Sequence, residues 1–83
     1  MATYTFHMAL ANTLPNGAEI LSRYFHPIQE RWIILAWWEK GVGLPREYIT
    51  WCSADDGDAY LGHYFKEFQR AEDDYNKRCQ RGY

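Results

Sequence analysis

Between Glu47 and Arg78 the hydrophobic period changes once, and that change restricts the chain to an α+β architecture. The segment reads EYITWCSADDGDAYLGHYFKEFQRAEDDYNKR. Side chains alternate as far as Phe65, and an i, i+3, i+7 spacing begins directly after it. The first pattern is that of strands laid on a core, the second that of an amphipathic helix. The run therefore predicts strand, tight acidic turn, strand and helix. It names no reaction, ligand or partner.

The flanking sequence extends this unit. Residues Thr3 to Leu10 alternate, with Tyr4, Phe6, Met8 and Leu10 on one side and Thr3, Thr5 and His7 on the other, which predicts a first strand. Asn12 to Gly17 breaks it. Asn16 followed by Glu19 has capping-box spacing, and Ile20, Leu21, Tyr24, Phe25 and Ile28 then fall on one helical face. This predicts a short helix over residues 17–26, closed by Pro27, which disfavours helical geometry at His26. A strand over Glu19 to Phe25 is the competing reading, because the run is short and also alternates. Arg31 to Glu39 is apolar on both sides, as expected of a central strand covered on both faces or of one whose second face meets a partner.

Gly41, Gly43 and Pro45 mark a turn, Arg46 to Ser53 the next strand, and Asp55-Asp56-Gly57-Asp58 a second turn with Gly57 suited to positive φ. Ala59 to Phe65 completes an antiparallel meander. Lys66 to Gln80 is the strongest helix, with Phe68, Ala71, Tyr75 and Cys79 on one stripe and Glu67, Arg70, Asp73, Asp74 and Lys77 on or near the solvent face. Lys77, Arg78 and Arg81 sit toward its C-terminal end, where cations suit the helix dipole, and Gly82 supplies a stop. The expected fold is α+β: a small antiparallel sheet, a three-stranded meander with or without an added N-terminal strand. Two helices pack it, the C-terminal one the longer, in one domain over residues 1–83.

A chain of 83 residues lies near the lower size for a self-sufficient core. Four Trp, seven Tyr and four Phe compensate, since burying a large apolar side chain contributes about 1.5–3 kcal/mol. The net charge of −2 argues against a nucleic-acid binder, which needs a basic patch. No basic n-region with an apolar h-region opens the chain, and the longest apolar run, Trp32 to Trp38, is too short to span a membrane. The expectation is a soluble, cytoplasmic protein with no membrane contact. Cys52 and Cys79 form no CxxC or zinc cluster and read as free thiols rather than a disulfide.

Chemistry-bearing constellations are sparse. Asp55, Asp56 and Asp58 could attract a divalent cation, but they lack the spacing and twelfth-position Glu of a calcium loop and read as a solvated turn. His63, placed by alternation with Ala59, Leu61 and Phe65 and opposite Tyr60 and Tyr64, could act as a base. It would need Cys52 or Ser53 as nucleophile and an acid to orient it. Its other reading is a structural histidine. Gly41-Val42-Gly43 is no phosphate loop, and GxSxG, HExxH and paired-cysteine motifs do not occur. No catalytic residue, metal or cofactor is assigned.

The aromatic set is the stronger signal. Trp37 and Trp38 are neighbours on one strand and must point to opposite faces, so they cannot share a core layer. With Tyr48, Trp51, Tyr60 and Tyr64 they are either core or an exposed patch. Stacking of nucleic acid would require basic residues among these rings, and Arg23, Arg31, Lys40 and Arg46 are scattered. In its strand YITW, its strand GHYF and the helix KEFQRAEDDYNKR, the C-terminal half resembles small proteins encoded by phages and mobile elements, including stand-alone inhibitors of the anti-CRISPR type. That resemblance rests on size and architecture and carries over no residue roles.

The resulting expectation is a non-enzymatic protein-binding module, an inhibitor or accessory protein docking an aromatic and acidic surface on a larger protein. Trp37, Trp38, Trp51, Tyr60 and Tyr64 would be the anchors, and Asp55, Asp56, Asp58, Glu72, Asp73 and Asp74 would meet a basic site, such as that of a nucleic-acid-binding complex. The alternatives are a small enzyme or ligand-binding protein using His63 with Cys52 or nearby acids, and a homodimer pairing through the Trp32–Trp38 strand.

Overall fold

The computed structural model describes residues 6–39 and 43–83. Four strands, β1 (Glu19–His26), β2 (Arg31–Glu39), β3 (Arg46–Ser53) and β4 (Ala59–Phe65), precede one helix, α1 (Phe68–Arg81). The strands pair in chain order, each antiparallel to the next. The α+β class and the meander from Arg31 to Phe65 are as the sequence indicates. The N-terminal half differs.

Residues 17–26 do not form a helix. They lead into and build β1, the competing reading, which pairs along β2 from Glu19↔Trp37 to His26↔Arg31. The side chain of Asn16 accepts the Ala18 N–H at 3.0 Å, closing an Asx turn instead of a capping box. A bulge interrupts the strand between Ile20 and Ser22. Ile20 and Tyr24, which share the expected helical face, pair with Ala36 and Ile33 and so stand on opposite faces of the sheet.

The strand expected over Thr3 to Leu10 is also absent where it can be judged. Tyr4 and residues 3–5 lie outside the described residues, as do residues 40–42 of the β2–β3 turn. The His7 carbonyl accepts the N–H groups of both Leu10 and Ala11 at 3.0 Å, which curls the chain into a turn. Met8 is thereby buried while Leu10 is 81% exposed, so the two do not share a face.

Register assigns the central side chains to two faces. Ile33, Leu35 and Trp37 share one face with Tyr48, Thr50 and Cys52, whereas Trp32, Ile34, Ala36 and Trp38 share the other with Ile49, Trp51 and Ser53. The first face lies under α1, which packs across β2, β3 and β4. The second is covered by the irregular N-terminal segment, whose Met8, Leu14 and Ala18 are buried with Ile34, Ala36, Ile49 and Trp51. Apolar residues on both sides of β2 are thus explained by two covering layers, and a loop serves as one of them. Its backbone is satisfied locally: Ile20 donates to the Asn12 carbonyl at 2.8 Å, and Arg23 donates to the carbonyls of Met8 and Ala11.

Helix α1 starts two residues later than the Lys66 the periodicity indicates and ends at Gly82, whose φ of 86° and N–H bond to the Arg78 carbonyl at 2.6 Å close it. Its buried residues are Ala71 and Arg78. Phe68 is largely exposed, with its ring edge-on to Tyr48 at 5.6 Å. Arg78 lies in the last turn, as the sequence indicates, but its side chain is 1% exposed and turned onto β3.

Candidate functional site

Two regions bring functional side chains together: a polar chain under α1 and the edge strand β4. The chain begins at the surface with His63, whose Nδ1 lies 2.8 Å from Asp74 Oδ2. Thr50 donates its hydroxyl to the same carboxylate oxygen at 2.5 Å. Thr50 Oγ1 in turn accepts from Arg78 Nη1 at 3.0 Å, and that nitrogen also donates to the Thr50 carbonyl at 3.0 Å. Arg78 Nη2 reaches Cys52 Sγ at 3.1 Å. The Arg78 Nε is buried without a partner among the described residues. Four residues apart, Asp74 and Arg78 share one face of α1, and Thr50 and Cys52 share one face of β3, so the two elements meet along matched polar rows.

Asp74 had been expected near solvent; it is half-buried and holds this chain together. Burial raises the cost of its charge. Hydrogen bonds from Thr50 and His63 and the positive charge of His63 and Arg78 outweigh that cost, and its pKa lies below the ordinary value of 3.8. A carboxylate with a depressed folded pKa adds stability that is present above its unfolded pKa and lost as pH falls through the folded one. Asp74→Asn is therefore expected to lower stability at neutral pH and to flatten the acid limb below about pH 4. Urea midpoints measured for both proteins across that range check this; parallel acid limbs would contradict it.

Asp74 holds Nδ1 of an exposed His63 ring, an arrangement able to position a general base. Cys52, the proposed nucleophile, is fully buried beneath Arg78, and Ser53 donates to the Ala54 carbonyl at 2.9 Å. Farther along α1, burial raises the pKa of both Cys79 and Tyr75; the bond between them lowers the thiol and raises the phenol. Both cysteines are free thiols. Among the described residues no cluster of His, Cys, Asp and Glu has the form of a metal site.

The second region is built on β4, the outer strand next to β3. A register shift between Thr50 and Cys52 and the positive φ of Leu61, 55°, mark a bulge. It places Tyr60 and His63 on the same face, opposite Ala59 and Tyr64, correcting the strict alternation read from sequence. Tyr60, Leu61 and Tyr64 are 39%, 57% and 56% exposed. Tyr64 is backed by aromatic rings: Trp51 lies edge-on to it at 6.4 Å and edge-on to Trp38 at 5.9 Å. Gly62 permits this, since a Cβ there would lie 2.6 Å from Trp51 Nε1.

The other residues singled out from sequence divide between support and surface. Trp51 is 4% exposed and supports the rings around it. Trp37 is half-buried with the Arg46 guanidinium 4.3 Å from its ring centre, and Trp38 is half-buried on the opposite face. Asp55 accepts the Trp32 indole N–H at 2.6 Å, and Asp56 accepts the Asp58 N–H at 2.9 Å, with Gly57 at φ 89° completing the turn. Asp58 is exposed at the start of β4, Asp73 is exposed and accepts from Gln69, and Glu72 is half-buried. The sequence pattern did not single out Arg78, Thr50 or Leu61. An Arg four residues after an Asp on an otherwise apolar stripe was the available signal for the first.

No protein-family model matches this chain, and no curated protein or solved structure matches it either. No helix of the described residues is long and apolar enough to cross a membrane.

Proposed function

We propose that this chain is a non-enzymatic protein-binding module that docks on a larger partner through the aromatic edge at β4. The reading extends to an inhibitor or accessory protein of a phage or mobile element, acting on a basic site of its target. The observation that carries it is the exposure of Tyr60, Leu61 and Tyr64 on one short strand, with Tyr64 backed by buried Trp51. Amphipathic rings held on a rigid base supply contact area at low entropic cost, the character of interface anchors. Asp55, Asp56 and Asp58 in the turn that opens β4 give this edge its acidic side.

Trp51 supports this surface from beneath. Both ladder sides of β2 are taken up by β1 and β3, so the Trp32–Trp38 strand presents no open edge to a second copy. A second functional reading, catalysis or ligand binding by His63, draws on its 2.8 Å bond to Asp74.

Affinity capture from host and phage lysates separates these readings. The double variant Tyr60→Ala/Tyr64→Ala is expected to lose at least about tenfold in partner capture while keeping its circular dichroism, since each ring lost from an interface centre is worth about 1–2 kcal/mol. His63→Gln is expected to capture normally. Undiminished capture by the folded double variant would remove the proposed surface.

A further inference from the structure

We infer that the outer edge of β4 takes up an extended basic segment of the partner, which adds to the sheet as a further strand; this rests on the docking surface proposed above. The two sheet edges are not equivalent. At β1 the N-terminal segment already occupies the start of the edge, through the Thr13↔Glu19 bridge and the Ile20 N–H bond to the Asn12 carbonyl. At β4, among the described residues, the backbone pairs with β3 on one side and with no strand on the other. An outer strand of this kind presents N–H and C=O groups that a peptide can pair with, and side chains on both faces then set its specificity.

Charge and ring chemistry indicate which peptide fits. Residues 55–67 carry four carboxylates, Asp55, Asp56, Asp58 and Glu67, against Lys66 and the imidazole of His63, which is paired with Asp74. Glu67 is paired with Arg70 at 3.7 Å, which leaves the aspartates of the turn as the dominant charge. Tyr60 already attracts a guanidinium, with Arg31 6.0 Å from its ring centre. Exposed tyrosine faces beside carboxylates favour Arg or Lys at alternate positions of an added strand.

The test is NMR titration of the uniformly ¹⁵N-labelled chain with a synthetic peptide of about ten residues alternating Arg and Val. Shifts concentrated in residues 59–65 and cross-strand contacts to β4 are expected. A matched peptide N-methylated on alternate residues, which keeps the charge and loses the ladder bonds, is expected to bind at least about tenfold more weakly. A Glu–Val peptide is expected not to bind. The idea is overturned if the methylated peptide binds equally well, if shifts fall on β1, or if no shift occurs at about 1 mM peptide.

Two further occupants are distinguished in the same samples. Deleting residues 1–5 is expected to leave peptide affinity unchanged, and a tenfold gain would show that the chain's own N-terminus holds the edge. A dimer by light scattering with β4 amides protected would assign it to a second copy. Either result overturns the proposal. If partner capture depends on Tyr60 and Tyr64 but the peptide results are negative, strand addition fails and the docking surface stands. If capture ignores those rings, the docking surface itself fails.

Discussion

Arg78→Met is expected to destabilise the fold by about 3 kcal/mol or more, although methionine fills much of the same space. The guanidinium is 1% exposed and donates to the carbonyl and hydroxyl of Thr50 and to the sulfur of Cys52. Removing it takes a buried donor from each of those acceptors, and it takes a positive charge from beside Asp74. The loss is large against the roughly 5–15 kcal/mol that holds a typical domain together. Arg78→Lys should fall between Met and wild type, because one ammonium cannot reproduce the planar fork that spans Thr50 and Cys52. Urea unfolding followed by tryptophan fluorescence measures all three proteins. A methionine variant as stable as wild type would mean that the contacts around Arg78 contribute little.

The second large effect concerns the N-terminal layer. Met8→Ala and Leu14→Ala are each expected to cost about 2–4 kcal/mol, the range for emptying a buried aliphatic site. Both side chains are buried in the cluster that includes Ile34, Ala36, Ile49 and Trp51. Leu10→Ala, from the same loop but with its side chain in solvent, should stay within about 0.5 kcal/mol of wild type. Thermal and urea midpoints of the three variants decide the matter. Equal, small effects at all three positions would show that this segment does not cover the sheet.

These two predictions concern features that were hard to read from sequence, for identifiable physical reasons. The meander and α1 were legible because β2, β3 and the helix have strong periods and their turns carry glycine, as at Gly57 and Gly82. Strand β1 was misread because its apolar residues come as neighbours, Ile20-Leu21 and Tyr24-Phe25, which fit a helical stripe as well as a strand apolar on both faces. The bulge at Leu61 moved Tyr60 to the His63 face. Met8 and Leu14 belong to a loop layer, which has no period to detect. Arg78 was read only as a cation suited to the helix dipole, because sequence alone does not show that Thr50 and Cys52 lie opposite it with acceptors.

The candidate surface was legible in part. Tyr60, Tyr64, Asp55, Asp56 and Asp58 fall at or beside the β4 edge. Trp51 became their support, and Asp74 joined the internal chain from His63 to Arg78. The bulge that misled the alternation also exposes Leu61 between the two tyrosines.

Hydrogen–deuterium exchange on the chain bound to the protein it captures tests the location of the docking surface most directly. The account predicts slowed exchange across residues 59–65 on binding, with β1 unchanged. Slowing confined to β1 or to the outer face of α1, with β4 exchanging as in the free chain, would contradict it.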